Sequence, residues 1–266
     1  MPRQRNSAVQ QAPAPGDDKL FVEAAARAFH VLEAFSGAPG PLSLGDIAKA
    51  TGLDRSAVQR STHTLLRLGY LRQRGTRGGL VLGLKIFDRS FDCLRSDPLF
   101  ERAMPILIDL RQDTQERVDL TVFDDLTMLY VLRLQSRRET FLAGLAGTRI
   151  PTYCSSGGRA VLSRLDKAAV DDVLARSDRR RITPHTVADL TGIRARLAEA
   201  RELGYALATE EVQIGIVALA APILGSDGLP AAAVQITASL ANQTPAEMAR
   251  RFGPLVVEAA RAASAI

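Results

Sequence analysis

Residues 42–71 have the sequence LSLGDIAKATGLDRSAVQRSTHTLLRLGYL, in which polar residues and glycines mark the ends of helices. Ser43 followed three residues later by Asp46 has the spacing of a capping box, which predicts a short helix. Gly52 predicts the end of that helix, and Asp54 is placed to cap the next one. Two helices joined by a short turn that contains glycine predict a helix-turn-helix.

The segments on either side complete a small domain. Apolar residues from Leu20 to Phe35 fall on one helical face and predict a preceding helix. Residues 71–73 and 80–82 predict two strands whose connection is rich in arginine and glycine. We therefore predict a winged helix-turn-helix over residues 19–83, after a disordered tail over 1–18. Its expected core consists of Leu44, Ile47, Ala48, Leu53, Val58, Leu65, Leu68 and Tyr70.

Positive charge is concentrated in this part of the chain. The net charge is +5; residues 1–97 hold 14 Lys and Arg against 9 Asp and Glu, whereas residues 98–266 hold 20 of each. Six arginines lie between Arg55 and Arg77 without an intervening acid. A basic patch confined to one small domain indicates a polyanionic partner such as double-stranded DNA, although a solvated basic face has the same pattern.

The second helix of the motif carries residue types suited to DNA on the face opposite its apolar positions. In the major groove arginine pairs with guanine and glutamine with adenine, while serine suits phosphate. The arginines of the wing are expected to hold the phosphate backbone. The candidate DNA-contacting residues are Ser43, Arg55, Ser56, Gln59, Arg60, His63, Arg72, Arg74 and Arg77. An ordinary solvated helix face is the alternative interpretation.

The rest of the chain has a different pattern. Residues 84–97 predict a linking helix, and residues 98–266 alternate between strand and helix patterns. Strands are predicted over 118–123, 128–134, 141–145, 205–209, 217–224 and 231–237. Helices are predicted over 98–114, 156–165, 166–176, 189–203 and 244–263. Strand hairpins with flanking helices predict an antiparallel α+β domain of the kind found in sensors.

Composition excludes several classes of protein. Of 266 residues, 46% are hydrophobic and 24% charged, as in globular proteins and unlike disordered or collagen-like chains. The longest apolar run, 214–224, is shorter than the roughly 20 residues that span a bilayer, and the first eighteen residues lack the apolar core of a secretory signal. Two cysteines and three histidines without metal-ligand spacing predict no metal and no cofactor, and favour a reducing, cytoplasmic compartment. The sequence has no G-x-S-x-G, P-loop or G-x-G-x-x-G motif, so we do not expect an enzyme.

Residues 151–158, PTYCSSGG, lead directly into a predicted helix. Small residues with free N–H groups at a helix start suit a carboxylate, but an N-cap with tight packing explains the same residues. Tyr153 suits stacking on an aromatic ring or packing in the core. Cys154 is interpreted as a small buried side chain, and a redox sensor is the alternative. His185 is interpreted as a residue that stabilises a turn, and a metal ligand is the alternative.

The sequence resembles the IclR family of bacterial transcriptional regulators over about residues 20–264. The residues that carry the resemblance are 42–48, Ser56, Val58, Arg60, 64–65, 68–71, Pro151, Ser155, Gly158, Ala160, 183–186, 201–205, 210–211, Gly215 and 220–222. The resemblance implies a GAF-like effector domain after the winged helix. It also implies a homodimer or a dimer of dimers on palindromic DNA, with no membrane partner.

Within that family, segments 59–64, 95–99 and 177–180 resemble the branch that controls aromatic-acid catabolism. That branch responds to protocatechuate, 4-hydroxybenzoate, β-ketoadipate or muconate-like acids. The resemblance therefore implies a ligand-responsive regulator of a catabolic operon. The alternative is a GAF-like sensor module that acts through protein contacts, for which an arginine-rich wing has no evident use.

The family's pocket positions transfer onto this chain residue by residue. Together with Tyr153 and Ser155 of the loop, the candidate effector-binding residues are Ser156, Gly157, Thr209, Ile216, Ala218, Gln235 and Thr237. Thr209 stands where the family commonly has an acidic residue, and Gln235 stands where it has a small residue. Val217-Ala218 stands where the family commonly has an Arg-Cys or Arg-Ser pair. These departures predict a larger, flatter effector held by amide and hydroxyl groups.

Overall fold

The computed structural model describes residues 19–74, 79–136 and 146–265, which divide into two compact units between Ser96 and Asp97. Three predictions lie outside the described residues: the tail over 1–18, Arg77 in the wing, and the strand over 141–145. Within the part that is described, no helix is both long and apolar enough to cross a membrane.

The first unit is a three-helix domain with a hairpin and a following helix. Its elements are α1 Glu23–Glu33, α2 Leu44–Thr51, α3 Arg55–Leu68, β1 Leu71–Arg74, β2 Gly79–Leu82 and α4 Lys85–Arg95. Both predicted N-caps are present: Ser43 and Asp46 form a capping box, and the Asp54 carboxylate accepts from the Ala57 N–H at 2.8 Å. Strands β1 and β2 pair antiparallel, so the predicted winged helix-turn-helix is confirmed.

The core of this unit lies between α1, α2, α3 and the hairpin. Val31, Ile47, Val58, Leu65 and Leu80 are among its buried side chains. Two predictions were wrong. The first helix begins at Glu23 and leaves Leu20 exposed outside its first turn, and Leu68 is 51% exposed instead of buried. Leu68 is the last residue of α3, where the chain turns through Gly69 toward β1 and carries the side chain past the edge of the core.

The second unit is one antiparallel sheet with helices on both faces. Its strands are β3 Arg117–Asp124, β4 Thr127–Leu134, β5 Arg149–Pro151, β6 Ala206–Thr209, β7 Ile216–Leu224 and β8 Pro230–Ser239. Its helices are α5 Pro98–Thr114, α6 Ser156–Leu162, α7 Lys167–Arg176, α8 Leu190–Leu203 and α9 Pro245–Ala263. The strand order is β5-β4-β3-β8-β7-β6. The predicted α+β class is confirmed, while the three-residue strand β5 was not predicted.

The two faces of the sheet have different surroundings because side chains alternate along a strand. On one face Val118 and Leu120 of β3 join Val234 and Ile236 of β8 in the main core beneath α5 and α9. The other face carries Arg117, Asp119 and Thr121, which alternate with the apolar residues along β3. This face packs in part against the short helix α6. Polar side chains are therefore held beneath α6, on the face of the sheet away from the main core.

Candidate functional site

The polar face of α3 is open to solvent, as predicted. Arg55, Ser56, Gln59, Arg60 and His63 are all exposed, while Ala57, Val58 and Leu65 on the other side of the helix are buried. The Arg60 Nη1 donates to Ser56 Oγ at 2.5 Å, so one turn of the helix orients this guanidinium. The structure therefore groups five of the nine candidate DNA-contacting residues on one helical surface.

The other candidates of the first unit lie on neighbouring elements. Ser43 is exposed at the start of α2, where its hydroxyl donates to Asp46 Oδ2 at 2.7 Å and is committed to the capping box. Arg72 and Arg74 are exposed at alternate positions of β1 and thus project from the same side of the strand. Of the three candidate arginines of the wing, these are the two that the structure describes.

A cavity of about 290 Å³ opens on the α6 face of the sheet in the second unit, and we call it the sheet cavity. Six predicted residues line it: Ser155, Ser156, Ile216, Ala218, Gln235 and Thr237. Its other lining residues are Arg117, Tyr130, Arg133, Thr148, Ile150, Ala208, Glu210, Glu211, Val212 and Gln213. The volume is close to the lower end of the range for pockets that bind small molecules.

Three predicted residues lie away from the cavity wall. Tyr153 is buried in a separate core cluster, where its hydroxyl donates to the carbonyl of Arg180, so packing in the core is its role. Thr209 alternates with Ala208, and it is Ala208 that lines the cavity. Gly157 allows α6 to approach the sheet, since a Cβ at this position would lie 2.9 Å from Thr121 Oγ1. The one-residue offset at Thr209 follows from the period of two in a strand.

Two arginines, Arg117 and Arg133, are among the lining residues that the sequence did not predict. The Arg133 Nε lies 3.0 Å from Asp119 Oδ1, and the Arg117 Nε lies 3.4 Å from Asp119 Oδ2. Arg133 also stacks over the ring of Tyr130, with its Cζ 3.9 Å from the ring centroid. Burial raises the pKa of Asp119, and the two arginines act in the opposite direction. The missed signal was the alternation of Arg117, Asp119 and Thr121 with apolar residues in one strand, because charged groups are buried only where they are paired.

Gln235 connects the strands of the wall to the loop before α6. Its Nε2 donates to Tyr130 Oη at 3.2 Å and to Thr237 Oγ1 at 2.9 Å, and its Oε1 accepts from Ser156 Oγ at 3.1 Å. The amide is buried, so these bonds hold its orientation. The wall beside the arginines therefore consists of one amide and several hydroxyl groups.

A buried ion pair joins the start of α6 to the segment after β6. The Arg159 guanidinium donates to both carboxylate oxygens of Glu211, and its Nε donates to the Tyr153 carbonyl at 3.0 Å. Glu211 Oε2 also accepts from the Val187 N–H at 2.8 Å. The side chains of Arg159 and Glu211 are almost completely buried, so this pair fixes three separate segments around the sheet cavity.

Cys154 and His185 are the two residues for which redox chemistry or metal binding was the alternative interpretation. Cys154 is buried, and burial raises the pKa of its thiol to about 11, which keeps it protonated and unreactive at neutral pH. The backbone N–H of His185 donates to Thr183 Oγ1 at 3.1 Å, and the His185 Nε2 lies 3.5 Å from Glu210 Oε2. Within the described ranges, no group of three or more metal-ligating side chains comes together.

Comparison with known proteins gives matches over both units. The model described as "IclR helix-turn-helix domain" matches residues 24–75, and the one described as "Bacterial transcriptional regulator IclR C-terminal" matches residues 91–265. The chain is 28% identical to the Pca regulon regulatory protein of Pseudomonas putida, over 92% of this chain and 84% of the relative. It is also 28% identical to the p-hydroxybenzoate hydroxylase transcriptional activator of Acinetobacter baylyi, over 89% of this chain and 88% of the relative.

Solved structures agree with this similarity. An IclR homolog from Microbacterium hydrocarbonoxydans, crystallised as a complex with 4-hydroxybenzoate, is 25% identical with a TM-score of 0.77. The similarity covers 91% of this chain and 97% of that chain, so it extends through both units.

Proposed function

The chain belongs to the IclR family of bacterial transcriptional regulators, and we propose that it is a one-component regulator of a catabolic operon that senses a small organic acid. The acid is an aromatic acid or a product of ring cleavage, it binds in the sheet cavity, and its binding changes the affinity for an operator. The observation that carries the proposal is the presence in one chain of an exposed basic helix-turn-helix and a cavity whose wall includes two arginines.

DNA binding is assigned to the first unit. Its third helix presents Gln59 and Arg60, which suit base edges, beside Arg55 and Ser56, which suit phosphate. A helix-turn-helix of this kind places its second helix in the major groove, while the wing arginines contact the backbone. The exposed polar face of α3 supports this assignment.

A homodimer is proposed to bring two such helices to the halves of a palindromic operator. Helix α4 has no buried residue, and its Phe87 and Phe91 side chains are 71% and 62% exposed; Phe29 on α1 is also exposed. Apolar side chains on open helix faces are typical of surfaces that bind another protein. Sedimentation equilibrium of the full chain at micromolar concentration is expected to give a dimer or tetramer, and a monomer would argue against this assembly.

Acid binding is assigned to the second unit. The cavity wall has two guanidinium groups, two amides and several hydroxyls, with the carboxylates of Glu210 and Glu211 also in the lining. The guanidinium, amide and hydroxyl groups suit a carboxylate attached to a polar ring or chain. Two of the named relatives regulate pca genes or p-hydroxybenzoate hydroxylase, which supports the aromatic branch over others in the family.

Fluorescence anisotropy tests the proposal on the DNA that lies upstream of the chain's own gene. We expect the full chain to prefer that duplex over a scrambled duplex of equal length by about 10³-fold or more, a ratio typical of specific regulators. A salt series separates the nonspecific phosphate contribution, because that contribution falls steeply as salt rises. Absence of binding to either duplex would contradict the proposal and favour a sensor module that acts through protein contacts.

A further inference from the structure

One end of the sheet cavity is cationic. The Arg133 side chain on β4 is only 9% exposed, and its Nε is occupied by Asp119. Within the described part of the chain, no hydrogen bond reaches its Nη1 or Nη2 atoms. A planar guanidinium with two open nitrogens is suited to a carboxylate, which it binds in a bidentate manner. This end of the cavity therefore takes the anionic group of a ligand.

The other end carries a carboxylate. Glu210 follows β6 in a left-handed conformation with φ of 56°, and it lines the cavity. Its Oε1 accepts from the Gly215 N–H at 2.8 Å, and its Oε2 lies 3.5 Å from His185 Nε2. The neighbouring Glu211 is already engaged by Arg159 and by the Val187 N–H. Because each carboxylate oxygen accepts more than one hydrogen bond, Glu210 has capacity for a donor on a ligand.

The two ends are separated by most of the width of the sheet. Arg133 is on β4 and Glu210 follows β6, and β3, β8 and β7 lie between those strands. Adjacent strands lie about 4.8 Å apart, so four spacings separate the two backbones by roughly 19 Å. Both side chains line the same cavity, and their length shortens the distance that a ligand has to span. Between them the wall carries Arg117 of β3 and uncharged side chains such as Ile216, Ala218 and Gln235.

From this polarity we propose that the sheet cavity selects a monocarboxylic acid with a hydroxyl group at its far end and rejects dicarboxylic acids. This inference rests on the proposed function and narrows it to hydroxylated aromatic acids, because ring-cleavage products such as muconate-like acids carry two carboxylates. The ligand's carboxylate binds Arg133, and its hydroxyl donates to Glu210. A second carboxylate would instead lie beside the Glu210 carboxylate, where two like charges repel and both lose solvent.

Isothermal titration calorimetry on the full chain tests the selection with four probes that differ at one end. These are 4-hydroxybenzoate, benzoate, terephthalate, which has a carboxylate in place of the hydroxyl, and adipate, a flexible dicarboxylate. We expect 4-hydroxybenzoate to bind about tenfold or more tightly than benzoate, because a site built to accept a hydroxyl donor discriminates against an analogue without one. Terephthalate and adipate are expected to bind more weakly than benzoate. Equal or tighter binding of either dicarboxylate would overturn the proposal.

Two variants connect the selection to its residues. Glu210→Gln keeps an acceptor for the Gly215 N–H but removes the charge. The affinity for terephthalate is therefore expected to rise about tenfold relative to the affinity for 4-hydroxybenzoate. Arg133→Gln is expected to weaken the binding of every acid by about tenfold or more, because it removes the guanidinium that all four carboxylates share as a partner. Glu199→Gln and Arg196→Gln, which alter an exposed ion pair on α8, are matched controls expected to leave all four affinities unchanged. An unchanged ratio of terephthalate to 4-hydroxybenzoate affinity in Glu210→Gln would contradict the role of Glu210.

The remaining outcomes separate this inference from the proposed function. If none of the four acids binds while the chain still prefers its upstream duplex, the selection is wrong and DNA binding stands. If the duplex preference is also absent, the proposed function itself fails. Circular dichroism melting curves that match the unsubstituted chain show that the variants are folded.

Discussion

Replacement of Glu211 by leucine is expected to lower the free energy of unfolding by about 3–5 kcal/mol, because it leaves the Arg159 guanidinium buried without its counter-charge. Arg159 is fully buried and makes two hydrogen bonds to the Glu211 carboxylate. The substitution also removes the acceptor of the Val187 N–H. Urea unfolding followed by far-ultraviolet circular dichroism measures the loss, and hydrogen exchange over residues 156–162 shows whether α6 is where it occurs.

Two control variants test whether the loss comes from the unpaired charge. The double variant with Arg159→Met and Glu211→Leu is expected to recover most of the stability, since apolar replacements of a buried ion pair are often close to neutral. The exposed pair between Arg196 and Glu199 gives the surface comparison. Glu199→Leu is expected to change the stability by no more than about 0.5 kcal/mol. A loss below about 1 kcal/mol in Glu211→Leu would show that the pair does not hold the cavity segments together.

Replacement of Arg60 by alanine is expected to reduce binding to the operator by about 1–3 kcal/mol and to relax base preference at one position. The reason is that Arg60 lies on the exposed face of α3 with its guanidinium oriented by Ser56. Arg74→Ala on β1 is expected to weaken binding to the operator and to the scrambled duplex alike, and to reduce the salt slope by about one, because the contact proposed for this arginine is with phosphate.

Anisotropy titrations on single-base variants of the upstream duplex distinguish these two effects. Arg196→Ala, an exposed arginine of the second unit, is the matched control and is expected to leave both affinities unchanged. If Arg60→Ala weakened all duplexes equally, its assignment to a base edge would be wrong. If Arg74→Ala altered base preference, its assignment to phosphate would be wrong.

Local signals in the sequence predicted the first unit well. Ser43, Asp54 and Gly69 act within a few residues of their own positions, and each ends or begins the helix that its type predicts. Leu68 differs because its burial depends on where the hairpin passes over the end of α3. The spacing of apolar residues does not contain that information.

The sheet cavity was harder to predict because it depends on pairing between distant strands. Asp119 meets Arg133 only through the register of β3 with β4, and Gln235 faces them through β8. Arg159 and Glu211 are 52 residues apart, and no local pattern links them. The residues taken from the family resemblance reached the cavity in most cases, but they omitted the arginines that give it a cationic end.

A two-way titration tests whether the sheet cavity and the operator are coupled. The affinity for the upstream duplex is measured with and without saturating 4-hydroxybenzoate, and the affinity for 4-hydroxybenzoate is measured with and without the duplex. Linkage requires the same factor in both directions, and about 5- to 150-fold is typical of allosteric regulators. We expect equal factors in that range. An acid that binds in the cavity and leaves the duplex affinity unchanged would contradict the coupling, because a ligand with equal affinity for both states shifts neither.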